Sequence, residues 1–155
     1  MGFGVKRMLR KVMPTTYLLV ALVLILILHF SFPISHVLIG PLKLMGLVPL
    51  LLGIVLNLLA DRALKQHNTT VKPFQESNAL IVDGVYEVTR HPMYLGFVLI
   101  LIGISILLGS ISPYIIVILF AVFVEFVFIH REEKMLEERF QEAWVQYKSK
   151  VRKWI

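Results

Sequence analysis

Four apolar runs separated by polar connectors set the rhythm of this 155-residue chain: about Tyr17 to Phe32, Leu44 to Ala60, Met93 to Leu108 and Tyr114 to Ile129. Each is slightly shorter than the roughly 20 residues that cross a bilayer core as a helix. Flanking residues extend the runs, and tilt or local thinning of the bilayer accommodates the remainder. In hydrocarbon every backbone polar group must be satisfied within the protein. Spanning segments are therefore helices or closed barrels, and four segments cannot close a barrel. The pattern predicts an all-α integral membrane protein with four transmembrane helices.

The connectors predict orientation. The link from Pro33 to Pro41 has no Lys or Arg, and GSISP, from Gly109 to Pro113, has no charge at all. Of 16 Lys and Arg, four lie near the N-terminus (Lys6, Arg7, Arg10, Lys11), four between Arg62 and Arg90, and seven from Arg131 to Lys153. The remaining one, Lys43, is placed to snorkel at the outer end of the second run. Four crossings put all the basic clusters on one side. By the positive-inside tendency, both termini and the 61–92 segment are cytosolic. The short GSISP link makes the third and fourth runs an antiparallel hairpin. A basic start followed by an apolar run, without an A-x-A-like site, predicts an uncleaved anchor rather than a cleaved leader.

Two polar stretches promise structure of their own. The 61–92 segment is too long for a mere turn, and ALIVDGVYEV within it predicts a short extended piece turning at Asp83-Gly84. Beyond His130, the residues Leu136, Phe140, Trp144, Tyr147, Val151 and Trp154 recur at spacings of three and four, with charges between them. This predicts an amphipathic C-terminal helix, on the cytosolic membrane surface or covering the protein.

Composition sharpens the membrane reading. The chain is 57% hydrophobic, with mean hydropathy +0.79, and its 17% of charged residues are spread unevenly, long stretches carrying none. The net charge of +6 follows topology rather than a basic face, which argues against a nucleic-acid partner. The absence of cysteine excludes disulfides, thiolate metal sites and a cysteine nucleophile. The five histidines (29, 36, 67, 91 and 130) lack ligand-like spacing, so no metal site is expected.

Candidate chemistry gathers at Thr89-Arg90-His91-Pro92-Met93-Tyr94. Pro92 suits a first helical turn, where its missing N–H would lack a partner anyway. Free backbone N–H groups and the positive end of a helix dipole favour an anion there. Arg90 adds a permanent cation with a bidentate fork. His91 adds a group that donates, accepts or stacks, and Tyr94 reaches the same space. The plainer alternative makes Arg90 and His91 interfacial anchors and Tyr94 part of an aromatic belt.

A second cluster, Glu132-Glu133, opens the polar region after the fourth run. The hairpin returns it to the depth of Arg90-His91, so the two pairs should be neighbours. That meeting is either a surface ion pair, worth about 0–1 kcal/mol, or a clamp for a zwitterion. Glu125 is the only formal charge in the apolar run from about Tyr94 to Ile129. Intramembrane charges are costly and face a partner or a polar cavity. Glu125 either lines an acceptor path, acts as a base, or makes a structural hydrogen bond through Asn57 or His29.

LIVDGVYEVTRHPMYLG, followed after the hairpin by REEKMLEERFQEAWVQYKSKVRKWI, resembles the isoprenylcysteine carboxyl methyltransferase family and the related phospholipid methyltransferases. The matching positions are Gly84, Tyr86, Arg90, His91, Pro92, Tyr94, Gly96, Glu132, Glu133, Leu136, Phe140, Tyr147 and Arg152. They cover about residues 80 to 155. The resemblance implies S-adenosylmethionine as methyl donor, held at the cytosolic end of the last two membrane helices, and a lipophilic acceptor entering from the bilayer. It implies that His91, Tyr94, Glu132, Glu133 and the segment carrying Leu80, Val82, Gly84 and Tyr86 contact the cofactor. Arg90 would lie near the transferred methyl or hold an acceptor carboxylate. One domain is expected, with residues 1–60 as a helical-hairpin scaffold and 61–155 as the cofactor-binding core. Where the family often carries Phe-Gly, this chain has Phe140-Gln141, which predicts that its helix runs on where theirs bends. The competing readings are an NADPH-dependent membrane reductase, whose 2′-phosphate would draw on Arg62, Lys65 and Lys72, and a non-enzymatic scaffold or transporter.

Overall fold

The computed structural model describes residues 13–34, 40–67 and 79–155. The basic cluster at Lys6, Arg7, Arg10 and Lys11, the centre of the 33–41 link, and Lys72 lie outside the described residues. Every described element is helical: α1 (Pro14–Ser31), a 3₁₀ stretch (Gly40–Gly46) leading into α2 (Leu47–Gln66), a 3₁₀ turn (Gly84–Glu87), α3 (Pro92–Leu108), α4 (Ser112–Val124), a π turn (Glu125–Ile129) and α5 (His130–Lys150). Three stretches are long and apolar enough to cross a membrane: Pro14–Ser31, Gly40–Gln66 and Ser112–Lys150. The third apolar run forms the shorter α3, of 17 residues. Large apolar side chains such as Leu19, Val23, Leu51 and Leu58 face outward. That is the arrangement expected where hydrocarbon is the solvent. The protein is an integral membrane protein.

Local sequence explains the helix ends. Proline occupies the first turn of α1, α3 and α4, where no intrahelical donor is lost. Gly109 ends α3 in the left-handed conformation, at φ 80, which costs a residue without Cβ little. The chain then reverses through Ser110 and Ile111 into α4. This hairpin end is tied to the last turn of α1. His29 Nδ1 lies 2.7 Å from Ser110 Oγ, and the Ile111 N–H donates to the Ile34 carbonyl at 3.1 Å.

The helices α2 and α3 pack through glycine. Gly46 and Gly53 face Gly103 and Gly96, and a Cβ added at Gly53 would stand 2.5 Å from the Gly96 carbonyl oxygen. Small residues let membrane helices approach at backbone contact. On its other side α3 shares a core with α1 and α4, built from Ile25, Phe97, Leu101, Val117, Phe120 and Phe128.

Two local expectations are corrected. ALIVDGVYEV turns at Gly84, φ 60, as expected, but the residues from Gly84 to Glu87 wind into a 3₁₀ turn rather than continue extended. The C-terminal helix does not run on past Phe140. Gln141 stands at φ 43, ψ −112 and breaks it. Its carbonyl and side chain cannot hold that conformation cheaply, so the cause is tertiary. The second half of α5 folds back to bury Trp144 and Tyr147.

Candidate active site

Arg90 and His91 end the loop segment, and Pro92 starts α3 immediately after them. Glu132 and Glu133 open α5, beyond the π turn of the fourth run. The hairpin brings the four residues together. Arg90 Nη1 lies 2.8 Å from Glu133 Oε1, and His91 Nε2 lies 3.3 Å from the same oxygen. His91 Nδ1 is 3.9 Å from Glu132 Oε2. The Arg90 side chain is 8% exposed and that of Glu133 12%. This is a desolvated ion pair, in which broken geometry or lost partners are costly.

Around this pair the walls are aromatic. The Arg90 guanidinium stands 5.5 Å from the Trp144 ring centroid, within cation–π range. Tyr94 packs between His91 and Phe128, with centroids 6.0 Å from each, and its hydroxyl faces Glu132. The Tyr147 hydroxyl donates to the Tyr86 carbonyl at 2.6 Å. Burial raises the Tyr86 phenol above its ordinary value, and the nearby Glu132 charge adds to this. Tyr86 therefore stays a neutral donor.

The tail closes the cluster from below. Lys153 Nζ reaches Glu125 Oε1 at 2.7 Å and Glu133 Oε2 at 3.4 Å. Trp154 Nε1 donates to the other Glu125 oxygen at 3.1 Å. The partners of Glu125 are thus Lys153 and Trp154, not Asn57 or His29. Asn57 instead donates to the Gly53 carbonyl within α2, at 2.9 Å.

Several buried polar atoms in this cluster have no hydrogen-bond partner: Arg90 Nε and Nη1, Glu132 Oε2 and Trp144 Nε1. Nη1 keeps its ion pair with Glu133 but lacks hydrogen-bond alignment. Buried groups of this kind are normally satisfied. Donors and an acceptor left over together could meet a polar ligand that carries both an acceptor and a donor group.

Other sequence candidates sit differently. Val82 is 46% exposed, Leu80 is half-buried, and Gly84 is exposed with open space where its Cβ would be. From that segment it is Tyr86 that meets α5, through Tyr147. Lys65, a candidate for a 2′-phosphate, is paired with Asp61 at 2.5 Å. Thr89, Trp144, Lys153 and Trp154 were not among the sequence-predicted site residues. Their sequence signals were the place of Thr89 beside Arg90, the apolar stripe that carries Trp144 and Trp154, and the unpaired Glu125, which required a partner.

A family model described as Phospholipid methyltransferase matches residues 42–143. The chain belongs to this family. Among relatives, it is 42% identical over 84 residues to a protein-S-isoprenylcysteine O-methyltransferase of Saccharomyces cerevisiae, covering 52% of this chain and 34% of that one. Protein-S-isoprenylcysteine O-methyltransferase B of Arabidopsis thaliana is 36% identical over 80 residues, covering 50% of this chain and 39% of that one. The chain thus spans between about a third and two fifths of these two methyltransferases. A solved eukaryotic intramembrane Ras methyltransferase, isoprenylcysteine carboxyl methyltransferase, superposes with TM-score 0.66 at 29% identity, covering 91% of this chain and 51% of that one. Both elements of the cluster, Arg90-His91 and Glu132-Glu133, fall inside the stretch matched by the family model.

Proposed function

We propose that this protein transfers a methyl group from S-adenosylmethionine to a lipophilic acceptor, a prenylcysteine carboxylate or another membrane lipid, at the cytosolic membrane face. The observation that carries the reading is the convergence of Arg90-His91 with Glu132-Glu133 around buried, unpartnered polar atoms. The names of the relatives support the reaction class. In this reading α1 to α4 all cross the bilayer, both termini and the 61–92 segment are cytosolic, and the chain is one domain. Residues 1–60 are its scaffold and 61–155 its cofactor-binding core.

The residues present fit the cofactor's charges. Arg90 offers a fork for a carboxylate, of the cofactor or of the acceptor. Glu132 offers a free oxygen to an ammonium or a ribose hydroxyl, and Trp144 a free N–H. His91 and Tyr94 form the wall beside them. S-adenosylmethionine, when bound, supplies a methyl made electrophilic by its sulfonium. A carboxylate acceptor has no proton to lose, so the protein's tasks are alignment and exclusion of water. The aromatic walls do the second. Glu125, already paired through both oxygens, holds the cluster rather than serving as a free base.

Calorimetry on detergent-purified protein should show S-adenosylhomocysteine binding with a dissociation constant around the micromolar range. Arg90→Ala should weaken it by about tenfold or more, as expected for a lost charged contact. No binding by folded wild-type protein would overturn the proposal. Labelled methyl donor with total native lipids would then identify the acceptor.

A further inference from the structure

The last residues of the chain do more than cover the site. We propose that Lys153 is a positioning residue, and that its pairing with Glu125 latches the C-terminal strap against the Arg90–His91–Glu133 cluster. The functional part of this inference rests on the reading of the cluster as the methyl-donor site. The strap lies outside the stretch, residues 42–143, that the family model matches.

The strap leaves α5 at Val151 in an extended conformation, φ −116, ψ 131. It then holds the loop segment before α3 by its backbone. The Arg90 N–H donates to the Arg152 carbonyl at 3.1 Å, and the Thr89 hydroxyl donates to the Lys153 carbonyl at 2.9 Å. Thr89 is fully buried, and its hydroxyl accepts from the His91 N–H at 3.2 Å. Both reactive residues of the loop are therefore oriented by the strap, one directly and one through Thr89.

The side chains complete the latch. Lys153 stands between two carboxylates. Glu125 holds it at 2.7 Å, and it holds the second oxygen of Glu133 at 3.4 Å. The first oxygen of Glu133 faces Arg90 and His91. Without the ammonium, Glu125 and Glu133 would face each other as like charges in a partly desolvated setting, and Glu133 would turn away. Glu125 is supplied by a π turn in the fourth run, at Glu125–Ile129. Such turns weaken helical hydrogen bonding and concentrate at functional sites.

The test uses the full-length chain and the variants Lys153→Met, Lys153→Arg and Glu125→Gln. Lys148→Met, an exposed charge loss outside the cluster, is the control. Two readouts are taken: affinity for S-adenosylhomocysteine, and hydrogen–deuterium exchange of peptides containing the Arg90 amide without ligand. Lys153→Met and Glu125→Gln should each weaken affinity about tenfold and speed exchange at Arg90. Lys153→Arg should stay within about threefold of wild type, and a variant combining Lys153→Met with Glu125→Gln should be no weaker than either single one. Wild-type affinity and exchange in Lys153→Met would overturn the proposal, as would equal impairment of Lys153→Arg. If Lys153→Met does not fold, the contrast between Glu125→Gln and Lys153→Arg decides. Failure of wild-type protein to bind S-adenosylhomocysteine would sink the methyltransferase reading, while the exchange data still decide the latch.

Discussion

Arg90 shows how much a single residue is asked to do. It meets a carboxylate, an indole face and a backbone carbonyl of the tail, and still has unsatisfied donors. The sequence exposed Arg90, His91, Glu132 and Glu133 because charge and proline at a membrane boundary are conspicuous. It did not expose Trp144, which reads as one more apolar position in a stripe. Gln141 is the opposite case, a residue whose side chain argued for a straight helix. At φ 43, ψ −112 it occupies a region suited to glycine. Relief of roughly 1–3 kcal/mol of backbone strain, set against the roughly 0.5–1 kcal/mol glycine loses in entropy, predicts that Gln141→Gly stabilises the protein by about 1 kcal/mol. Thermal melts in detergent would check it, and a lowered melting temperature would contradict it.

At the scale of elements, length and break points were readable and bends were not. Prolines at Pro14, Pro92 and Pro113, and the glycine at Gly109, mark ends through local backbone chemistry. The bend in α5 has no such mark and shows only in the backbone, where Gln141 stands at φ 43, ψ −112 inside the helix. Glu133, before the bend, and Trp144, after it, both contact the one Arg90 guanidinium. The glycines of α2 and α3 make a further element-scale prediction. A side chain at Gly53 would collide with the Gly96 carbonyl and the Ile100 amide, at 2.5 Å and 2.9 Å, and backbone cannot step aside cheaply. Gly53→Leu should cost roughly 1–3 kcal/mol or more through overpacking. Leu52→Ala, on the outward face, should cost much less. Equal melting temperatures for the two variants would refute a close glycine contact.

For the whole molecule, the decisive event is that the loop before α3, the start of α5 and the tail meet at one end of the bundle. Their pH behaviour follows from two groups outside the membrane-spanning helices. Lys153 is raised above its ordinary value, chiefly by its hydrogen bond to Glu125, and Tyr86 is raised by burial. For a group whose folded value is raised, the stabilisation is complete below the unfolded value and disappears as pH climbs through the folded one. Ordinary Tyr and Lys values are about 10 and 10.4. Stability should therefore hold through neutral and mildly alkaline pH, as far as these two groups set it, and fall above about pH 10. The Arg90 amide should lose exchange protection in that same alkaline range. Melts and exchange across pH 7 to 11 would show it. Protection at Arg90 that persists beyond the fall in stability would separate the tail from these two groups.

The sequence by itself determined the membrane character, the helical hairpin, the polar pairs at the helix boundaries and the family resemblance. Those properties reside in hydrophobic run length, in proline and glycine backbone restrictions, and in residue types at short spacing. Only the tertiary structure decided that α5 folds back at Gln141, that Glu125 is matched by Lys153 and Trp154, and that Trp144 lies beneath Arg90. The side-chain contacts among these join residues 28 to 54 positions apart. Their partners are chosen by the need to neutralise buried charge and cover apolar area within one bundle, and no local pattern records that need.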